Sequence, residues 1–278
     1  MTLSRRQVRE LLDELGLAPS RALGQNFVAD PNTVRRIARL AGVGPGDRVV
    51  EVGPGLGSLT LALVETGAEV TAVELDRHLL PVLQRVVAPH GVRIVHGDAL
   101  TLDWDELLGD GSADRPWTLV ANLPYNVATP LVLRLLEQVP AITSMLVMVQ
   151  REVAERLAAA PGDPAYGIPS VKVAYRADAE VVGRVPPTVF VPRPRVESAL
   201  VRLRRLPAPR VATDPDRLFR LVEAAFGQRR KMLRRSLAGL VDAAAFERAG
   251  VSPQARPEQL DLAAWDRLAR AVWQGGGS

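Results

Sequence analysis

The spacing of apolar positions changes twice along the chain. Over the first 42 residues it has the period of a helix, with an irregular stretch between two helical segments. A first helix is predicted over 4–15, with Ser4 as its N-cap. A second runs from Pro31 to about residue 41, with Asp30 as its N-cap and the proline at the first helical position. The chain therefore begins with a short helical segment.

From residue 47 onward, unbroken apolar runs alternate with helical stretches. The runs predict strands at 47–52, 68–75, 92–97, 117–123 and 143–150. Such alternation is typical of a parallel sheet that is covered by helices on both faces. After a helix over 151–160 and a loop over 161–169, segments around 178–185 and 197–204 are predicted to extend the sheet antiparallel at its edge.

A proline-rich, strand-free stretch at 205–215 marks a domain boundary. We predict a first domain over 1–206 and an all-helical second domain over 207–278. The helices of the second domain are predicted at about 215–226, 229–240, 242–249 and 261–273. The last four residues, GGGS, are predicted to be a flexible tail.

Composition excludes several classes of chemistry. The 278 residues contain no cysteine, and none of the three histidines has the i, i+4 partner of a helical metal site, so no metal is expected. No apolar run has the length of a membrane span. The N-terminus lacks a secretory signal, and acids at 10, 13 and 14 argue against a mitochondrial presequence. We therefore predict a cytoplasmic protein without a membrane partner.

A glycine-rich turn follows the first strand of the alternating region. It reads Glu51-Val-Gly-Pro-Gly-Leu-Gly-Ser, and glycine lets a ligand lie directly against such a backbone. A dinucleotide fingerprint counted from Gly53 would need a third glycine where Ser58 stands. The G-x-G-x-G spacing with a preceding acid is typical instead of S-adenosylmethionine (SAM) methyltransferases. Gly53 and Gly55 are therefore candidate cofactor-binding residues.

Two acids stand at the ends of the next strands. Glu74 lies about 20 residues beyond the glycine turn, where a carboxylate can accept both hydroxyls of a ribose. Asp98, in the sequence GDAL, could receive the adenine amino group of the cofactor. For Asp98 a helix N-cap is an equally ordinary role, and the two roles are compatible.

The sequence Asn122-Leu123-Pro124-Tyr125 ends the fourth strand and is the most specific signal in the chain. An adenine N6 amine is a weak nucleophile, and a site assists it by accepting both N–H groups with the asparagine oxygen and a backbone carbonyl. The proline stiffens the turn that aims this carbonyl, and Tyr125 offers a surface on which a flipped base can stack. The motif predicts catalysis by positioning and electrostatics.

One further aromatic and two basic clusters are candidates for nucleic-acid contact. Phe190 lies in a proline-stiffened run and is interpreted either as a second aromatic surface for the base or as a core residue. The net charge is +4, and cations without interleaved acids favour a phosphate partner over a merely solvated face. The cations precede the linker and follow the helix at 215–226: Arg202, Arg204 and Arg205, then Arg229, Arg230, Lys231, Arg234 and Arg235.

Together these residues resemble the small-subunit ribosomal RNA adenine N6,N6-dimethyltransferases. The match runs in order through LGQNF (23–27), EVGPGLGSLT, AVELD, GDAL, NLPYNV, FVPRPRVES, FGQRRKMLRRSL (226–237) and RPEQL (256–260). The resemblance implies a Rossmann-like class I SAM methyltransferase domain with a small helical domain that contacts RNA. It further implies dimethylation of two adjacent adenines near the 3′ end of small-subunit rRNA, late in subunit assembly.

The resemblance also implies roles for single residues. Asn26 and Val28 would close over the cofactor, although leucine is more usual than valine at the second position. Asn122 would hold the cofactor and address the target amine, and Tyr125 and Phe190 would clasp the base. The expected partner is the small ribosomal subunit with its rRNA, bound by a monomer.

Four other functions compete with this interpretation. A large-subunit rRNA adenine methyltransferase of the macrolide-resistance type shares the catalytic motifs, but the proline-rich run and FGQRRKMLRRSL favour the small-subunit enzyme. A non-catalytic assembly factor is disfavoured by the intact motifs. Leu123 disfavours a DNA adenine methyltransferase, and Ser58 disfavours a dehydrogenase.

Overall fold

The computed structural model describes residues 2–14, 16, 19–20, 23–109 and 115–274. These residues form two compact units, one from Met1–Ala154 and Glu180–Arg205 and one from Glu155–Ala179 and Leu206–Ser278. The chain crosses between the units three times, and the last crossing, between 205 and 206, lies one residue before the predicted boundary. The prediction assigned 155–179 to the first domain, whereas this segment belongs to the second unit.

The strands carry the labels β1 to β9 in chain order. They are β1 Phe27–Val28, β2 Arg48–Val52, β3 Glu69–Glu74, β4 Arg93–His96, β5 Trp117–Asn122, β6 Ile142–Gln150, β7 Ala177–Val185, β8 Phe190–Val191 and β9 Ser198–Arg205. The helices up to the first crossing are α1 Arg5–Glu14, α2 Pro31–Ala41, α3 Ser58–Val64, α4 Leu80–Val87, α5 Trp104–Leu108, α6 Ala128–Gln138 and α7 Arg151–Leu157. All predicted strands are confirmed, to within two residues at their ends.

A seven-stranded sheet has the order β4-β3-β2-β5-β6-β9-β7. The strands from β4 to β6 are parallel, and β9 runs antiparallel to β6, which confirms the predicted extension at the edge. The chain proceeds from β2 outward in one direction and from β5 outward in the other. The sheet therefore has a switch point between β2 and β5, and ligands bind at such points in open α/β sheets.

Side-chain caps fix the helices near this sheet as predicted. The Asp30 carboxylate accepts a hydrogen bond from the Thr33 backbone N–H at 2.9 Å, and α2 begins with the predicted proline. Ser4 precedes α1, and its hydroxyl accepts from the Gln7 backbone N–H at 3.3 Å. A two-stranded ribbon of β1 and β8 lies beside the main sheet and pairs Phe27 with Val191.

The second unit is built around helices α8 Ile168–Arg176, α9 Pro215–Phe226, α10 Leu233–Ser236, α11 Ala243–Ala249 and α12 Leu262–Gln274. Its core gathers Tyr166, Val171 and Tyr175 from the inserted segment with the later helices around Trp265. The Tyr166 hydroxyl donates to the Leu260 carbonyl at 2.9 Å. These buried contacts explain why 155–179 belongs to this unit although the sheet strands follow it in sequence.

Two features of this unit differ from the prediction. Helix α8 was not predicted, and the helix predicted over 229–240 was wrong, because only Leu233–Ser236 is helical there. The backbone N–H groups of Leu233 and Arg234 donate to the carbonyls of Ala255 and Pro253 and so cannot continue a helix from 229. The predicted GGGS tail lies outside the described residues.

Candidate active site

A cleft opens where the parallel strands β2 to β5 end, at the switch point of the sheet. Each of these strands ends in a segment that the sequence singled out. The cleft is lined by residues from the N-terminal segment 23–28, the glycine turn with the start of α3, the end of β3, the GDAL turn and the NLPY turn. The topology therefore gathers the separate motifs into one site.

The glycine turn is a backbone surface that other residues could not form. Gly53, Gly55 and Gly57 have φ of +71°, +58° and +86°, which L side chains rarely adopt. A Cβ on Gly55 would lie 2.8 Å from the Phe27 ring, and one on Gly57 would lie 2.7 Å from Val87. The turn therefore needs glycine both for its conformation and for its close packing.

Glu74 is fixed at the end of β3 with its carboxylate on the cleft. One oxygen accepts from the Gly55 backbone N–H at 3.0 Å and the other from the Asp76 backbone N–H at 2.8 Å. The residue is buried, and burial raises the pKa of its carboxyl group. A bidentate acceptor held this way, beside a glycine surface, suits the hydroxyl pair of a ribose.

Asp98 lines the cleft and also stabilises its own turn. Its carboxylate accepts from the Leu100 backbone N–H at 2.9 Å, and its carbonyl accepts from the N–H groups of Thr101 and Leu102. The side chain is half-buried. The helix N-cap role that the sequence left open for Asp98 is wrong, because the next helix begins at Trp104 and is capped by Asp103; Asp98 instead caps a turn, and this bond leaves its second carboxylate oxygen unused.

The N-terminal segment lies against the NLPY turn. The Asn26 carbonyl accepts from Asn122 Nδ2 at 3.0 Å, and Asn26 and the buried Val28 both line the cleft. Gln25 donates from Nε2 to the Asp76 carboxylate at 2.7 Å, just beyond Glu74. This bond ties the segment to the end of β3.

The NLPY turn presents its polar groups in a defined way. Because Asn122 Nδ2 donates to Asn26, its Oδ1 is the atom left to accept from a substrate. The buried Leu123 donates its N–H to the Met148 carbonyl at 3.0 Å, and its own carbonyl accepts no hydrogen bond among the described residues. The Pro124 carbonyl accepts from the Val127 N–H and closes the turn. Two acceptors thus remain for an amino group.

Tyr125 is half-buried beside these acceptors. Its hydroxyl forms a 2.9 Å hydrogen bond with the buried Ser198 hydroxyl at the start of β9, and burial raises its pKa. The bond holds the ring at the cleft, where it can serve as a stacking surface.

Phe190 is placed differently from the expected base contact. Its side chain is 1% exposed, belongs to the hydrophobic core, and is not among the residues that line the cleft. Pairing of β8 with β1 sets Phe190 opposite Val28 and directs the ring into this core. Of the two interpretations that the sequence left open, the structure supports packing.

Three residues of the cleft were not identified as site residues from the sequence. Glu51 is 1% exposed, its Oε2 has no hydrogen-bond partner among the described residues, and burial raises its pKa to about 8. The available signal was an acid in an otherwise apolar strand. Leu75 is an apolar residue that is 49% exposed beside Glu74, and Gln25 carries the bond to Asp76; neither has a signal in a single sequence.

The basic residues before the linker have mainly internal partners. Arg202 pairs with Glu180 at 2.8 Å and donates to the Leu40 carbonyl. Arg205 donates to four carbonyls, three of them in and just beyond the last turn of α6. Arg204 is exposed, and it pairs with Ser144 at the start of β6, at the sheet edge opposite the cleft.

The basic cluster after α9 is exposed throughout. Arg229 donates to the Pro164 carbonyl at 2.8 Å. In the part of the chain that the structure describes, no acid pairs with the side chains of the remaining four cations, which are Arg230, Lys231, Arg234 and Arg235. Four unpaired cations within six residues form a surface that suits phosphate groups.

The described residues form neither a metal site nor a membrane span. No group of three or more His, Asp or Glu side chains could hold a metal ion within these residues. No helix among them combines the length and the apolar character needed to cross a membrane.

Comparison with known proteins adds independent information. A model of the family described as ribosomal RNA adenine dimethylase matches residues 19–272. Two proteins named ribosomal RNA small subunit methyltransferase A are close relatives. The Bifidobacterium adolescentis protein is 49% identical over 280 residues, covering 95% of this chain and 92% of that protein. The Thermobifida fusca protein is 51% identical over 273 residues, covering 94% and 93%.

A solved structure extends the comparison to the fold. The crystal structure of the 23S rRNA methyltransferase ErmE superposes with a TM-score of 0.69 at 28% identity, over 90% of this chain and all of that one. The predicted Rossmann-like class I methyltransferase fold is thereby confirmed. With a family model that matches nearly the whole chain and relatives at about half identity, the chain belongs to the ribosomal RNA adenine dimethylase family.

Proposed function

We propose that the protein transfers methyl groups from SAM to the N6 amino groups of two adjacent adenines near the 3′ end of small-subunit rRNA. One observation carries the proposal: the bond from Asn122 Nδ2 to the Asn26 carbonyl leaves Asn122 Oδ1 free beside the unused Leu123 carbonyl. Two fixed acceptors at one turn match the two N–H groups of an exocyclic amine. The close relatives, which are named as small-subunit enzymes, support the choice of subunit.

The cleft fits SAM as the methyl donor. The glycine turn offers backbone where a Cβ would clash, and the fixed Glu74 carboxylate suits a ribose. The buried Glu51 carboxyl group, whose Oε2 has no hydrogen-bond partner among the described residues, offers one more polar group to the ligand. Gly53, Gly55, Glu74, Asp98 and Asn122 would hold the cofactor, with Asn26 and Val28 closing over it. When bound, SAM supplies an electrophilic methyl group.

The protein's own contribution is positioning. Asn122 Oδ1 and the Leu123 carbonyl accept the two amine protons and favour a pyramidal nitrogen, whose lone pair is then available for attack. Pro124 restricts the turn that carries the second acceptor. Tyr125, held by Ser198, supplies a stacking surface for the extruded base. No general base is required, because the methylated amine is acidic enough to lose its proton to water.

The RNA contacts follow from the exposed cations. We assign the cluster Arg229, Arg230, Lys231, Arg234 and Arg235 to phosphate groups of the rRNA, because four of these side chains have no partner among the residues that the structure describes. Arg204 remains a predicted contact, whereas Arg202 is engaged with Glu180 and Leu40. The proposal further includes a monomer that acts in the cytoplasm on a preassembled small subunit.

A substrate panel tests the proposal. Unmethylated small subunits, large subunits and naked rRNA are incubated with radiolabelled SAM, and the nucleosides are separated. We expect N6,N6-dimethyladenosine from small subunits alone. Label on large subunits would instead assign the chain to the activity of its structural relative ErmE. SAM binding without transfer to any substrate would contradict catalysis and favour an assembly factor.

A further inference from the structure

The loop 192–197, which joins β8 to β9, carries exposed cations beside the active site, and we call it the proline loop. Its ends are fixed at the cleft. Val191 precedes it and pairs with Phe27, which lines the cleft, and Ser198 follows it and bonds the Tyr125 hydroxyl at 2.9 Å. Six residues that leave and return to such anchors reach at most about 12 Å from them. The loop therefore stays close to the stacking surface.

The register of β9 places this loop at the catalytic edge of the sheet. Ser198 pairs with Gln150, the last residue of β6, and the parallel strands end at that edge. Arg204, at the other end of β9, pairs with Ser144 at the start of β6. The cations predicted from the sequence in this unit thus lie away from the cleft, whereas those of the proline loop lie beside it.

The charges of the proline loop are uncompensated. Glu197, its one acid, is paired with Arg151 at 2.8 Å, and the Arg151 backbone N–H donates to the Glu197 carbonyl. Arg193 and Arg195 are exposed, and neither side chain has a hydrogen bond or ion pair among the described residues. Between Arg195 and Glu197, Val196 is an apolar residue that is 44% exposed. Two free cations and an exposed apolar side chain suit a nucleotide chain, which offers phosphates and bases together.

We propose that Arg193 and Arg195 contact the phosphates that flank the target adenine and so position the rRNA strand at the Asn122 turn. The inference rests on the proposed function, because it takes rRNA as the substrate. The two arginines act as positioning residues: they hold the strand, and the NLPY turn addresses the amine. Their loss should therefore weaken substrate binding and leave the cofactor site intact.

Single and double variants with a matched control test this assignment. Arg193→Gln and Arg195→Gln each remove one charge from the proline loop. Arg39→Gln removes one exposed charge, unpaired within the described residues, from the last turn of α2, which leads to the amino end of β2 at the opposite edge. Binding to unmethylated small subunits is measured by filter retention at several KCl concentrations and constant Mg²⁺. Methyl transfer is measured for the same proteins.

Each loop variant should raise the KM for small subunits about fivefold, as expected for an exposed charged hydrogen bond. Each should also reduce the slope of log K against log salt by about 0.7 to 0.9, and the double variant by about twice that. Arg39→Gln should change neither quantity, and the SAM Kd should stay constant throughout. Replacing both loop arginines by lysine should keep the salt slope, because the charge remains.

Two outcomes separate this inference from the proposed function. If the wild-type protein transfers no methyl group to small subunits, the proposed function fails first. If the wild type is active and the loop variants behave like Arg39→Gln, the assignment of the proline loop is wrong. A higher KM with an unchanged salt slope would indicate contact with a ribosomal protein and would also overturn it.

Discussion

Replacing Gly55 with alanine tests the packing of the glycine turn most sharply. The residue has φ of +58°, and its new Cβ would lie 2.8 and 2.9 Å from two carbons of the Phe27 ring. The left-handed conformation costs about 1–2 kcal/mol for a residue with a Cβ. The clash adds about 1–3 kcal/mol, because the ring is buried and has little room to withdraw. The free energy of unfolding should fall by roughly 2–5 kcal/mol in total.

The clash should also weaken SAM binding. Carbon atoms pack at about 3.5–4.0 Å, so the turn or the ring has to move by roughly 0.7–1.2 Å. A shift of that size pulls the Gly55 N–H away from Glu74 Oε2, with which it forms a 3.0 Å bond. Since a hydrogen bond to a charged group contributes about 1.5–3 kcal/mol, displacing Glu74 should lower SAM affinity by about 10- to 150-fold. Urea denaturation and calorimetric titration with SAM measure the two effects.

Two controls isolate the cause. Gly91 has φ of +78° with no atom within 4 Å of a Cβ, so Gly91→Ala carries the conformational cost alone, about 1–2 kcal/mol, with SAM affinity unchanged. Adding Phe27→Leu to Gly55→Ala should recover part of both losses, and a double-mutant cycle measures that coupling. The reasoning is refuted if Gly55→Ala loses no more stability than Gly91→Ala and binds SAM as the wild type does.

Three further predictions concern other residues of the cleft. Because burial raises the Glu51 pKa from 4.5 to about 8, the native chain binds this proton more tightly than the unfolded chain, and the free energy of unfolding should fall as pH rises through that window. Urea titrations should show a smaller fall for Glu51→Gln, and an equal fall would contradict the assignment. Tyr125→Phe keeps the ring and loses only the bond to Ser198, so its kcat/KM should stay within about threefold of the wild type. Tyr125→Ala also loses the stacking surface, worth about 1–3 kcal/mol per base, so its kcat/KM should fall about 5- to 150-fold. Equal losses in the two variants would assign the effect to the hydroxyl group. Gln25→Ala removes the 2.7 Å bond to Asp76, and it should raise the KM for SAM about 3- to 10-fold at constant kcat, because it loses one charged hydrogen bond that solvent partly screens. An unchanged KM would show that this bond does not help to hold the N-terminal segment at the cofactor site.

The catalytic unit was predictable because its signals are local. Unbroken apolar runs identified the parallel strands, and a motif follows each strand end. Because the carboxyl ends of parallel strands meet at one edge of the sheet, the sequence predicts that Gly53, Glu74, Asp98 and Asn122 lie together, and all four line the cleft. The Asp30 cap and the following proline marked α2 for the same reason. In each case a residue type dictates the conformation of its immediate neighbours.

Other features depend on contacts between distant segments. Phe190 lies in a proline-rich run that is typical of an exposed loop, but the pairing of its strand with β1, more than 160 residues earlier, buries its side chain. The helix predicted over 229–240 satisfied a helical pattern, yet backbone bonds to 253 and 255 hold most of it in turns. The second unit also takes its inserted segment 155–179 from within the run of sheet strands. A single sequence carries no signal for these pairings.

The central claim is that Asn122 and the Leu123 carbonyl position the target amine. Its most direct test is the single-turnover rate of methyl transfer to unmethylated small subunits, at saturating SAM and enzyme. Asn122→Ala should lower this rate about 100-fold or more, as removal of one positioned polar group does in other active sites. Asn32→Ala, which removes an exposed amide from α2 outside the cleft, should leave it unchanged. If the Asn122→Ala rate stays within about threefold of the wild-type rate, the loss is far smaller than expected and the account is contradicted.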